Sequence, residues 1–409
     1  MRRSRYLAAV FGVVLLAGGG ASAAPLPAQS WSAGWAVPDS APQPALTDNG
    51  SAKGFRNDTI RQVIRVDAGG PQVRVRLSNR YGPTPLRLTG ASIGYTGKAG
   101  ALIDPRPLTF GGSRSTVVPE GAQLRSDPVA IPVRQLDSLT VNLYFAGATG
   151  PATNHPEARA TSYRAKGDHT EDTGASAFTE HRTSWYFLDE VDVRTAGQRA
   201  AVVPFGDSIT DGTNSTVDAD NRYPDELAER LRAAGSTDTV LDSGVSGNRV
   251  LHDSPCFGER ALARFGRDVL DRPGVRSTII LEGINDIGAS AQPSECFLPN
   301  TRVTDRQLIA GYQRLIHAAR ARGITVLGAT LLPYQGASYY SPQGELVRER
   351  VNDWIRHSGA YDAVVDFDRV MRDPAHPKKL NPAYDSGDAL HPNDRGYRAM
   401  AGAIDLGKL

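Results

Sequence analysis

From about residue 55 to 195, apolar side chains recur at every second position. Val73, Val75 and Leu77 alternate with Arg74, Arg76 and Ser78, and Leu139, Val141, Leu143 and Phe145 repeat the pattern. This alternation predicts strands with one face buried. "TIRQVIRV" (59–66) and "TSWYFLDEVDV" (183–193) are rich in β-branched and aromatic residues and read as further strands. "DAGG", "YGPTP" and "FGGS" between them are turn signals. No amphipathic helix is expected here, so the pattern predicts an antiparallel β-sandwich or jelly roll over 24–195. Residues 24–54, which include Trp31 and Trp35, read as either a linker or an early strand. Trp31, Trp35 and Trp185 are expected in the core.

Past residue 198 the period changes. "AAVVPF" (200–205), "DTVLDSG" (238–244), "STIILEG" (277–283), "ITVLGATLLP" (324–333) and "DAVVDF" (362–367) are short, nearly uninterrupted apolar runs. Strands buried on both faces look like this. Helical stretches intervene at 224–235, 304–323 and 344–359, and a fourth closes the chain at 391–406. In the third, Leu346, Val347, Val351, Trp354 and Ile355 share the expected buried face. Alternating strands and helices predict a doubly wound parallel sheet of about five strands over 196–409. In such a sheet, reactive groups sit in loops beyond the carboxyl ends of the strands.

Composition narrows the function classes. Lys plus Arg number 46 against 44 Asp plus Glu, too even a balance for a nucleic-acid partner. The start of the chain reads as a secretory leader over 1–23: a basic "MRRSRY", a short apolar run and "ASA" at 21–23. The apolar run is shorter than the roughly 20 residues that span a bilayer. The expectation is an exported protein beginning near Ala24, without stable membrane insertion. In that compartment the two cysteines, Cys256 and Cys296, are expected to pair. No histidine or cysteine lies at metal-ligand spacing from either of them.

Ser208 stands where the first parallel strand should surface, in "VVPFGDSITDGTN". A serine is a weak nucleophile unless a base takes its proton, and the base is usually a histidine oriented by a carboxylate. His155, His169 and His181 fall in the β-rich part, His317 and His357 in helices, and His252 and His376 in loops without a spacing signal. His391 lies in a loop before the last helix, three residues after Asp388, within reach of its second ring nitrogen. Acyl transfer also needs donors for a developing oxyanion. Gly244 and Gly247 in "DSGVSGNRV" and Asn285 in "LEGINDIG" occupy loops after the second and third strands. Each feature has an ordinary structural reading, as a turn glycine or a capping amide; together, in strand order on one sheet edge, they point to a site.

"GDSIT" with Ser208, "SGN" with Gly247, "GIND" with Asn285 and "DALH" with Asp388 and His391 resemble the four blocks of the SGNH, or GDSL, hydrolase superfamily, in its order. The resemblance covers about 196–409. It implies a flavodoxin-like sheet of order 2-1-3-4-5 and carboxylic ester hydrolysis without metal or cofactor. It would make Ser208 the nucleophile, His391 the base and Asp388 its orienting acid. The oxyanion hole would be the Ser208 amide, the Gly247 amide and the Asn285 side chain. The whole layout is also similar to secreted actinobacterial members with an N-terminal β-domain. A Cys256–Cys296 bridge would then tie together two loops bordering the oxyanion hole. The expected substrate is a carboxylic ester with a small acyl group such as acetyl, on a polysaccharide or small molecule. A lipase or phospholipase, an acyltransferase and a glycan-binding protein on a degenerate hydrolase domain are the alternatives.

Overall fold

The computed structural model describes residues 29–42 and 48–409. The leader expected at 1–23 and the start near Ala24 lie outside the described residues.

The alternating half of the chain folds as two main antiparallel sheets with two short two-stranded pairs beside them, Asn154–His155 with Trp185–Tyr186 and Leu86–Leu88 with Thr116–Val118. One has the order Gln29–Ala36, Leu188–Ala196, Val73–Ser78, Gln123–Arg125. The other runs Glu180–Arg182, Ser162–Lys166, Asp58–Val66, Asp137–Phe145, Gly90–Thr96, Leu102–Pro107. The period-two apolar positions fill the space between them. Val75, Leu77, Val141, Leu143 and Phe145 are fully buried in one cluster, and each such side chain contributes about 1.5–3 kcal/mol by leaving water. Trp35 and Trp185 meet edge to face in this core, with ring centroids 4.9 Å apart. Trp31 is only partly buried, beneath the Arg74 guanidinium.

The ambiguous early segment is a strand, Gln29–Ala36, paired with Leu188–Ala196. Its Ala33 and Ala36 pack into the core of the other half of the chain, so this strand belongs physically to both halves.

Sheet type changes between Ala196 and Ala201. The parallel sheet has the order Thr239–Val240, Ala201–Gly206, Val275–Leu281, Thr325–Ala329, Ala363–Val365, the flavodoxin-like sequence 2-1-3-4-5. The second apolar run is broken at Leu241–Asp242, and its far piece, Ser243–Gly244, pairs again with Ala201–Gly206. Helices Tyr223–Ala233, Asp305–Arg320, Pro342–His357 and Asp394–Gly402 occupy the four expected stretches.

One expectation on these helices is corrected. Leu346 is half-exposed, while Glu345, Arg348, Val351, Asn352 and Ile355 face inward. The buried Arg348 accounts for the rotation: it donates to the Leu331 carbonyl at 2.9 Å and pairs with Glu345 and Asp368. A charge so fully partnered outcompetes one more leucine for that face.

Candidate active site

The strand Ala201–Gly206 ends in a turn that leaves no room for a side chain. A Cβ on Gly206 would lie 2.5 Å from the Leu281 carbonyl oxygen. Asp207 then caps the short helix Ser208–Asp211, accepting from the Ile209 amide at 3.0 Å. Burial pushes the Asp207 carboxyl up to about 7. The turn delivers Ser208 to the carboxyl edge of the sheet, 7% exposed.

The Ser208 hydroxyl meets His391 Nε2 at 2.8 Å, and the opposite nitrogen, Nδ1, donates to Asp388 Oδ2 at 2.6 Å. The loop before the last helix brings this about by a sharp reversal, with Gly387 at φ 108° and Ala389 at φ 59°. Asp388 Oδ1 accepts the Leu390 and His391 amides at 2.9 and 2.8 Å, and Asn214 donates to Oδ2 at 3.0 Å. Partial burial works against the charge of Asp388. The bonds from His391 and Leu390 outweigh it and hold the carboxyl well below the usual range. The array therefore has a fixed acceptor, an oriented ring and a serine against the free nitrogen.

Ser208, Gly247, Asn285 and His391 line one cavity of about 360 Å³. Of the two candidate glycines, Gly247 faces it. Gly244 sits against the Thr210–Asp211 backbone, and its amide donates to Asp242 at 2.9 Å. Gly247 has φ 74°, and a Cβ there would lie 2.1 Å from the Phe257 ring. Among the described residues, neither the Ser208 nor the Gly247 amide donates a hydrogen bond. Asn285 Nδ2 donates to the Asn248 carbonyl at 3.0 Å, and the Tyr339 hydroxyl donates to its Oδ1 at 3.3 Å. Two partners thus fix the amide plane and leave one N–H uncommitted. Val245, Phe257, Phe297, Tyr339, Leu390 and Pro156 make most of the remaining wall. Tyr339 comes from the aromatic loop after the fourth parallel strand and is buried.

Cys256 and Cys296 form a disulfide, with Phe257 and Phe297 side by side next to it at 4.8 Å between centroids. The bridge joins the loop after Gly247 to the loop after Asn285.

Several residues of this neighbourhood carry no spacing signal in the sequence. Arg264, on the short helix Ala261–Phe265, is 2% exposed and lies beneath all three loops. It donates to the carbonyls of Gly206 and Ser243 at 2.7 and 2.9 Å, to Asn248 Oδ1 at 2.8 Å and to Glu282 at 3.1 Å. Asp286 accepts the Val250 and Leu251 amides, and burial raises its carboxyl to about 6. His155, from the β-sandwich, is buried against Asp211, 2.9 Å from Nε2 to Oδ1. An arginine in "ALARF" or a histidine in "ATNHPEA" is readable only once the fold has placed it. His169, His357 and His376 pair instead with neighbouring acids at the surface.

The sheet order, and a serine, histidine and carboxylate array at the strands' carboxyl ends, define an α/β domain built for acyl transfer. Residues 205–399 match the GDSL-like lipase/acylhydrolase family. The C-terminal domain belongs to that family and is a carboxylic ester hydrolase. No curated protein matches the chain. Among solved structures it is similar to a lipolytic protein of the G-D-S-L family from Desulfitobacterium hafniense, with 21% identity over 50% of this chain and 97% of that one and a TM-score of 0.37. An acetylxylan esterase from Geobacillus stearothermophilus gives 22% identity, 50% and 91% coverage and a TM-score of 0.39. The acetyl xylan esterase AlAXEase gives 20%, 50% and 96%, and 0.38.

Proposed function

We propose that this protein is an exported serine esterase that cleaves carboxylic esters through an acyl-enzyme on Ser208. The observation that carries the reading is the continuous Asp388–His391–Ser208 chain, 2.6 and 2.8 Å, opening onto a cavity that also receives Gly247 and Asn285. In this reading the Ser208 oxygen attacks the ester carbon as His391 Nε2 takes its proton. Asp388 stabilises the resulting imidazolium through Nδ1. The amides of Ser208 and Gly247 and the free N–H of Asn285 receive the oxyanion, which is where most of the rate enhancement of such sites arises. His391 then gives its proton to the leaving alkoxide. Water, activated by the same nitrogen, releases the acid and restores the serine.

The cavity bears on the substrate. Its walls are largely apolar and its volume suits a group of several carbons, so an acetyl group would leave much of it unfilled. This shifts the reading from acetyl toward an ester with a larger apolar part. The leader and the disulfide support export.

The test is hydrolysis of p-nitrophenyl esters of increasing acyl length, and of acetylated xylan, by the wild type and Ser208→Ala. Loss of the nucleophile should lower kcat by several orders of magnitude. Unchanged hydrolysis in Ser208→Ala would overturn the mechanism, and release of acetate from xylan as the fastest reaction would return the substrate to a polysaccharide.

A further inference from the structure

The segment Asn154–Thr161 of the β-sandwich is laid along the loop that follows Ser208. Arg159 donates to the Ser215 carbonyl and accepts the Asp218 amide at 2.9 Å, while Thr161 bonds the Asp218 carboxylate. Pro156 and Glu157 of the same segment reach the wall of the active-site cavity. Immediately before Pro156, His155 is 3% exposed and stacks on Trp185.

Both ring nitrogens of His155 face acceptors. Nδ1 lies 3.2 Å from the Pro38 carbonyl oxygen and Nε2 2.9 Å from Asp211 Oδ1. A neutral imidazole has one N–H, so satisfying both requires the imidazolium. Burial opposes that charge, but the Asp211 carboxylate outweighs it and the ring titrates above its ordinary value. Asp242, Arg222 and Glu157 are the other charged groups around the ring. The second oxygen of Asp211 accepts both the amide and the hydroxyl of Ser246 at 2.9 Å. Ser246 immediately precedes Gly247.

We infer that His155 is a positioning residue for ester hydrolysis: through Asp211 and Ser246, the β-sandwich domain holds the Gly247 amide on the oxyanion. The sandwich is then a structural part of the active centre. Without the His155 contact, Asp211 keeps no side-chain partner outside the Ser246 loop among the described residues, and the loop loses this link to the β-sandwich. A displacement of about 1 Å at such a donor is enough to cost on the order of 100-fold in rate. The inference rests on the oxyanion role of Gly247 proposed above.

Two substitutions separate the bonds. In His155→Gln the amide nitrogen falls where Nε2 was and can still donate to Asp211. In His155→Asn it falls where Nδ1 was and can reach only Pro38. The expected result is a kcat for His155→Gln within about fivefold of wild type, and one for His155→Asn lower by about 30-fold or more, both with KM within about threefold. Equal kcat in the two variants would overturn the inference. So would a loss in both that follows a fall in Tm, which marks a residue needed only for folding. Ser208→Ala, run alongside, tells the two failures apart. If it stays active, the catalytic reading itself fails; if it is inactive while His155→Asn matches wild type, only the role of His155 fails.

Discussion

Asn285→Ala isolates one of the proposed oxyanion donors. In the wild type the side chain is braced twice, by its own bond to the Asn248 carbonyl at 3.0 Å and by the Tyr339 hydroxyl at 3.3 Å. Alanine removes the donor and frees both partners. Loss of the donor should appear in kcat, because the bond strengthens only as charge develops on the ester oxygen. Such deletions cost about 10²–10³ in kcat, or about 2.7–4 kcal/mol. The orphaned carbonyl and hydroxyl cost about 1–3 kcal/mol each at most, and that loss appears in Tm. Tyr339→Phe keeps the donor but removes the brace, a single hydrogen bond of about 0.5–1.5 kcal/mol, so kcat should fall by no more than about tenfold. The assay is steady-state hydrolysis of a p-nitrophenyl ester beside a thermal melt of each variant. For Asn285→Ala the expected pattern is a kcat about 100-fold down with KM within about threefold. A folded Asn285→Ala with wild-type kcat, or a Tyr339→Phe as damaged as Asn285→Ala, would refute the assignment.

On a p-nitrophenyl series from acetate to hexanoate, kcat/KM should climb by about fourfold per methylene, from about 0.8 kcal/mol per buried CH₂, until the cavity is full. A flat or falling series excludes an apolar acyl site. Arg264→Met leaves Glu282 and Asp268 without their common cation and should destabilise by about 3–5 kcal/mol in chemical denaturation; a change below about 1 kcal/mol would contradict its role under the loops. Opening the disulfide with the pair Cys256→Ser and Cys296→Ser frees a 40-residue span, worth about 4 kcal/mol of chain entropy. It should lower Tm and kcat together, and an unaltered kcat would show that the bridge does not support the site. The folded-state pKa of His155 is raised, so its stabilisation is complete below the unfolded value of about 6.5 and fades as pH rises through the folded value. Unfolding free energy of the wild type minus that of His155→Gln should therefore decline as pH rises above about 6.5; a difference that grows there contradicts the charged assignment.

The sequence was most readable where a single period or a short block carried the information. The alternation at 73–77 and 139–145 predicted strands because each side chain's face is set locally by the pleat, but the half-buried expectation fails at 139–145, where loops cover the polar face and bury Thr140 and Asn142. The runs at 200–205 and 277–283 predicted the buried parallel strands for the same reason. Ser208, His391 and Asp388 were legible because Ser208 follows the end of the first parallel strand and the other two lie three residues apart in the loop before the last helix. What stayed hidden depends on meetings between distant segments. The cavity wall is assembled from Pro156 to Leu390, so no apolar tract announces it and a small acyl group was the natural expectation. Arg264 carries no signal in the sequence, since its five partners come from separate segments, and the period that points Leu346 inward does not register that Arg348 takes that face. His155 stood in the sandwich, 56 residues from Asp211, and only the packing of the two halves joins them.

The central claim is that Ser208 carries the acyl group. It is tested most directly by quenching the wild-type enzyme during turnover of an activated ester and locating the added mass by peptide mass spectrometry. The predicted result is one acyl group, on the peptide containing Ser208, absent from Ser208→Ala and accumulating in His391→Ala only far more slowly. Acylation of another residue, or an equal adduct in Ser208→Ala, would contradict it.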